Sequence, residues 1–128
     1  MENLKVIDIV SDGEISFVSF LVPSISSVGD VEVMGKALRG FIADNRPMKI
    51  VVDFSGLKFF SSQVLGLLVE AWKRLKEYDG SVVISGINPE LSRVFKITNL
   101  DSLFDFYPDK ESAVKGIESV RSEELKSE

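Results

Sequence analysis

The 128-residue chain contains neither cysteine nor histidine. That double absence removes thiol nucleophiles, Cys/His zinc sites and every Ser-His-Asp arrangement. Few routes to catalysis are left, and the chain is expected not to be an enzyme. Long apolar runs are also missing: none approaches the roughly 18 residues that would read as a membrane span. The opening MENLKVIDIV has no basic segment leading into a long apolar one, as a signal peptide would. A cytoplasmic protein with no membrane insertion is therefore expected. Basic charge is in short supply, with 15 Lys and Arg against 20 Asp and Glu and a net charge of −5. The cations are mixed among the acids, which argues against a phosphate-binding surface for nucleic acid. Internal repeats and low-complexity tracts are lacking too.

What is present suits a packed globule: 45% hydrophobic residues and nine Phe are enough for one core without staples. A single domain over residues 1–120 is expected, with a charged tail at 121–128 that frays from Ser122.

The stretch that organises the chain is MKIVVDFSGLKFFSSQVLGLLVEAWKRL, Met48 to Leu75. Ile50, Val51 and Val52 are apolar in succession, as in a strand covered on both faces of a parallel or mixed sheet. Asp53 closes that strand and Ser55-Gly56 signals a turn. Val64, Leu65, Leu68, Ala71, Trp72 and Leu75 recur at spacings of three and four and predict an amphipathic helix. Glu70, Lys73, Arg74 and Glu77 fall largely on its other side. Ligands and partners of such sheets gather where strands end and helices begin. The helix start at Ser61, Ser62 and Gln63, where free N–H groups suit negative charge, is thus the candidate site. Structural readings stand beside it. One of the two serines reads as the helix N-cap, worth about 1 kcal/mol. Asp53 reads as a turn cap accepting backbone N–H groups. At least one of Phe59 and Phe60 reads as core.

Around this unit, Leu4–Val10 and Ile15–Val22 predict a hairpin across Asp12-Gly13. Pro23 ends it, and a polar segment, Ser24–Gly29, precedes a helix expected to start at Val31 with Asp30 as its cap. Met34, Leu38, Phe41 and Ile42 form its apolar stripe. Asp44-Asn45-Arg46-Pro47 breaks it, with Asn45 suited to a left-handed conformation. After the central helix, Asp79-Gly80 turns the chain into a strand over Ser81–Gly86. Asn88-Pro89-Glu90 opens a helix carrying Leu91, Val94 and Phe95. A short strand within Leu103–Tyr107 and a last helix with Ala113, Val114 and Ile117 inward complete the order β-β-α-β-α-β-α-β-α. Alternation of this kind predicts a mixed sheet with right-handed crossovers.

DFSGLKFFSSQVLGLL resembles the signature of the STAS domain, in which D-L-S-x-V-x-F-x-D-S-S-G-L-G-x-L-L is typical. ISGINPELSRVFKITNLDSLFDFYPDKESAVKGI resembles the closing pattern of that family, and the likeness spans residues 4 to 120. It implies an α/β STAS fold of about four to five strands with helices mainly on one face. It also implies a bacterial anti-sigma-factor antagonist that docks on an anti-sigma factor acting as a serine kinase, and so regulates sigma-dependent transcription. Within that family the alternatives are an accessory subunit of a membrane transport complex and a small-ligand-binding STAS domain. The implied partner surface is Asp53, Ser55, Phe59, Phe60, Ser61, Ser62 and Gln63, with the loops Pro23–Gly29 and Phe54–Phe60. No cofactor and no metal are expected, and the oligomeric state implied is a monomer or weak dimer.

In the family a Ser or Thr at this helix start is phosphorylated by the partner kinase, and the dianion blocks the complex. Aligned without gaps, Ser61 matches the acid of the signature, Ser62 its first serine and Gln63 the phosphoacceptor, which glutamine cannot replace. A one-residue slip makes Ser62 the acceptor but requires an inserted residue before Leu65-Gly66. The ungapped alignment keeps those two in helical phase and is preferred, with Ser62 as the candidate acceptor of the other. Val64, where the family has Gly, is a further departure.

Overall fold

A computed structural model describes the backbone of residues 5–126 and the side chains of residues 5–118. Strand β1 (Ile7–Asp12) turns at Gly13, whose φ of 65° is of the kind glycine adopts freely, into β2 (Ile15–Phe20). The expected start of β1 at Leu4 lies outside the described residues. There follow β3 (Ser24–Ile25), α1 (Val28–Asn45), β4 (Lys49–Asp53), β5 (Phe59–Phe60), α2 (Ser62–Lys76), β6 (Ser81–Ser85), α3 (Pro89–Ile97), a 3₁₀ turn at Leu100–Ser102, β7 (Asp105–Tyr107) and α4 (Lys110–Lys126). The fraying expected from Ser122 concerns residues whose side chains lie outside the description; the backbone of α4 is helical through Lys126.

Five strands form one sheet in the order β1-β2-β4-β6-β7, with the β1–β2 hairpin antiparallel and every other pair parallel. Each parallel step needs a crossover, and α1, α2 and α3 supply them in turn. Because side chains alternate along a strand, β4 feeds two cores. Ile50 and Val52 meet Leu38, Ile42, Leu65, Leu68, Leu75 and Phe95 from α1, α2 and α3. Val51 joins Ile15, Val83, Ala113 and Ile117 beneath α4 on the other face. The continuous apolar run of the sequence thus corresponds to a strand covered on both sides, with three helices on one face and one on the other. On α4, Gly116 leaves the room that the ring of Tyr107 occupies, so the helix lies close on the last strand.

Several expected boundaries shift: β1 runs on to Asp12 instead of ending at Val10, β2 stops at Phe20 instead of Val22, and both ends of α1 differ. Helix α1 starts one turn earlier, at Val28: Ser27, not Asp30, is its cap, and the Ser27 hydroxyl accepts from the Asp30 N–H at 3.0 Å. Val28 is exposed, so no apolar periodicity marked that first turn. At the other end the left-handed residue is Arg46 (φ 42°), not Asn45. Its guanidinium lies 4.4 Å from the centroid of the Tyr78 ring, a contact that offsets part of the backbone cost. Asn88 caps α3 by accepting from the Leu91 N–H at 2.9 Å, with Pro89 in the first turn as expected.

Candidate functional site

Three parallel strands end near one another at Asp53, Ser85 and Tyr107, and the chain leaves β4 into the loop that precedes α2. The side chains of that loop divide cleanly. Phe54, Leu57 and Phe60 are buried, whereas Ser55, Gly56, Lys58 and Phe59 are exposed. Phe54 sits at the base against Phe20, Phe60 and Phe95, with ring centroids 5.0–6.1 Å apart. Such tilted and edge-on contacts fix ring positions as well as burying area.

Backbone bonds complete the hold. The Phe54 N–H donates to the Ser85 carbonyl at 2.8 Å and the Lys58 N–H to the Pro23 carbonyl at 2.7 Å. Strands β3 and β5 pair in parallel, Ser24 with Phe59 and Ile25 with Phe60. This two-strand ladder adds a short strand to the segment Ser24–Gly29, which the sequence marked only as polar. Neighbouring residues on so short a strand point to opposite faces, which is why Phe60 is buried while Phe59 stands 53% exposed.

Asp53 fastens the turn. Its Oδ1 accepts from the Ser55 N–H at 3.0 Å and the Ser55 hydroxyl at 2.8 Å, with the Ser85 hydroxyl at 3.5 Å. The turn reading of this acid agrees with that geometry, and among the described residues no group of three or more His, Cys, Asp or Glu could hold a metal.

At the start of α2 the cap departs from expectation. Ser61 occupies the N-cap position in extended conformation, but its side chain accepts no helix N–H. The hydroxyl instead donates to Gln63 Oε1 at 3.4 Å, while the Ser61 carbonyl takes the Val64 N–H at 3.0 Å. The stabilisation expected from a side-chain cap is therefore not in place. No acid stands in the first turn, and Ser62 and Gln63 are exposed. The positive end of the helix dipole faces outward without a compensating charge, an arrangement that receives an anion or a hydrogen-bond acceptor readily.

The structure thus brings the exposed Phe59, Ser62 and Gln63 and the half-buried Ser61 into one stretch, sets Asp53 and Ser55 beside it as a fastened turn, and places Phe60 beneath it. Leu21 and Val28, apolar residues 53% and 68% exposed, flank β3. Val28 falls within the expected partner loop Pro23–Gly29, whereas Leu21, expected only as part of the hairpin strand, lies outside the surface the sequence singled out.

Similarity to known proteins follows the same geometry. The model of the STAS domain matches residues 8–113. An anti-sigma-factor antagonist (STAS) domain protein from Planctomyces limnophilus superposes with a TM-score of 0.80 at 24% identity, over 90% of this chain and 99% of that one. The Bacillus cell fate determinant SpoIIAA in its phosphorylated form gives 0.68 at 18% identity, over 87% and 98%. The murine Solute Carrier 26 family member A9 anion transporter gives 0.66 at 13%, over 83% of this chain but 18% of the transporter. At these identities the structural likeness speaks for the fold, while the family match covers most of the sequence. The chain belongs to the STAS domain family.

Proposed function

We propose that the chain is a cytoplasmic, non-enzymatic docking module of the anti-sigma-factor-antagonist type, folded as one domain over residues 1–120. It binds an anti-sigma factor that is also a serine kinase and, by occupying it, frees a sigma factor for transcription. The observation that carries this reading is the exposed Phe59 beside the uncapped start of α2, with Ser61, Ser62 and Gln63 around it. An exposed aromatic ring next to unsatisfied donors is what a protein contact uses as anchor and rim. Asp53 and Ser55 hold the loop in place for that contact, and the module works as a monomer or weak dimer without cofactor, metal or nucleic acid.

Gln63 stands where the family acceptor stands in the ungapped alignment. Its neutral amide resembles the unphosphorylated, binding-competent state, so the module binds its partner constitutively. The test combines the chain with the anti-sigma kinase of the same genome and ATP. Binding with no change in intact mass supports the constitutive reading. A gain of one phosphate that Ser62→Ala abolishes places the switch at Ser62 instead, and no binding at all overturns the docking role. A second reading, an accessory subunit of a membrane transport complex, draws on the likeness to the anion transporter's fold. Recovery of the chain with a transporter subunit, and not with the kinase, would favour it.

A further inference from the structure

Strand β1 is an edge of the five-stranded sheet, with β2 as its one strand neighbour among the described residues. The hydrogen-bonding phase of that edge follows from one bond. The Leu21 N–H donates to the Val6 carbonyl at 2.9 Å, one step beyond the Ile7–Phe20 pair. In an antiparallel ladder, inward and outward backbone groups alternate residue by residue. Val6, Asp8 and Val10 therefore turn toward β2, and Ile7, Ile9 and Ser11 present N–H and C=O groups to the open side. The Ser11 and Ser16 hydroxyls, 3.1 Å apart, fit this phase, since facing side chains approach most closely at pairs that exchange no ladder bonds.

Beside this edge, toward α1, runs an open groove of about 300 Å³ lined mostly by apolar side chains, among them Ile7, Ile9, Val33, Ala37 and Phe41, with Lys5 and Asp8 also contributing to its wall. The other face of β1 carries Asp8, Val10 and Asp12, all exposed, with Val10 at 54%. Neither acid has an ion-pair partner among the described residues. The edge thus offers three matched features: outward backbone groups, a mostly apolar groove toward α1, and two acids spaced by four residues, of which Asp8 also borders that groove.

We propose that β1 accepts an extended segment of a partner protein as a sixth strand. That segment alternates apolar side chains, directed into the groove beside α1, with lysine or arginine directed at Asp8 and Asp12. Strand addition of this kind draws affinity from main-chain bonds and specificity from alternate side chains. A second copy does not meet these requirements. Antiparallel pairing of β1 with itself about a two-fold axis keeps each face on its own side, so the acids of both copies would line one face with no cation between them. Nor does the chain's own terminus, because ESVRSEELKSE lacks the basic–apolar alternation. This surface is separate from the start of α2 and does not depend on the reading of that site.

The test uses the full chain and a short fluorescent peptide of alternating lysine and valine. Saturable binding in fluorescence anisotropy is expected, with amide shifts confined to Ile7–Asp12 and the facing side of α1. Two changes should each weaken it by roughly tenfold or more: methylating alternate peptide nitrogens on the sheet-facing side, and the double substitution Asp8→Lys with Asp12→Lys. The doubly substituted chain should gain binding to a glutamate–valine peptide. Ile9→Pro removes an outward N–H at an edge, where proline is tolerated, and should abolish peptide binding while the fold is kept. Absence of binding, or binding indifferent to N-methylation, would overturn the proposal. So would a concentration-dependent dimer of the chain that Ile9→Pro dissolves, since the edge would then serve a second copy.

Discussion

Gly86 leaves no room for a side chain against Asp53. A β-carbon on Gly86 would stand 3.0 Å from Asp53 Oδ1 and closer still to the Ser55 hydroxyl, and the residue has a φ of 67°. The turn that presents the candidate surface is therefore held on two sides, by the hydrogen bonds of Asp53 and by the bare backbone of the next loop.

Gly86→Ala should accordingly disturb the site from outside it. The left-handed conformation alone costs an alanine roughly 1–2 kcal/mol, and the new methyl group must push Ser55 off Asp53. Chemical denaturation should show that loss, and amide spectra should show displacement of Ser55 and Gly56. Unchanged spectra would mean the turn is not braced by Gly86.

Leu68 is 1% exposed in the core between α2 and the sheet. Leu68→Ala should cost roughly 2–5 kcal/mol, the range for truncating a buried leucine. A denaturation midpoint equal to that of the wild type would contradict the placement of α2.

Helices α1 and α2 are joined on their outer side by Arg39 and Glu70, whose paired bonds measure 2.7 and 3.1 Å. The hydrogen bond from Arg39 holds the Glu70 carboxyl below its ordinary value. The Ser112 N–H, bonding at 2.8 Å, does the same for Asp109. A depressed carboxylate contributes stability that is fully present above its unfolded value, roughly pH 4. That contribution is lost as pH falls through the lower folded value. In an NMR titration Glu70 should ionise below that range, and Arg39→Gln should return it. A Glu70 midpoint unaffected by Arg39→Gln would exclude the pair as the cause.

Much of this fold was legible because its signals are periodic. Ile50, Val51 and Val52 announced a strand covered twice, and the spacing from Val64 to Leu75 announced the face that α2 buries. The parts that escaped are short or rest on single contacts. Two residues in β3 and two in β5 are too few to show alternation, so the ladder that separates Phe59 from Phe60 had no sequence signature. Ser61 had the residue type and position of a cap, but whether a serine hydroxyl turns to the backbone or to Gln63 depends on a rotamer that no pattern encodes. At the start of α1 the exposed Val28 masked the first turn, and Ser27 took the cap instead of Asp30.

If the start of α2 and the loop before it form a protein-docking surface, calorimetric titration with the anti-sigma kinase from the same genome will register it. Wild type, Phe59→Ala and Gln63→Glu should be compared, with melting temperatures measured alongside. Phe59 is largely outside the core, so its truncation should leave the melting temperature nearly unchanged yet weaken binding by roughly tenfold or more, as for an anchor residue. Gln63→Glu should weaken binding too, because a new charge must be desolvated in the contact. Both variants binding as tightly as the wild type, at unaltered stability, would contradict the account.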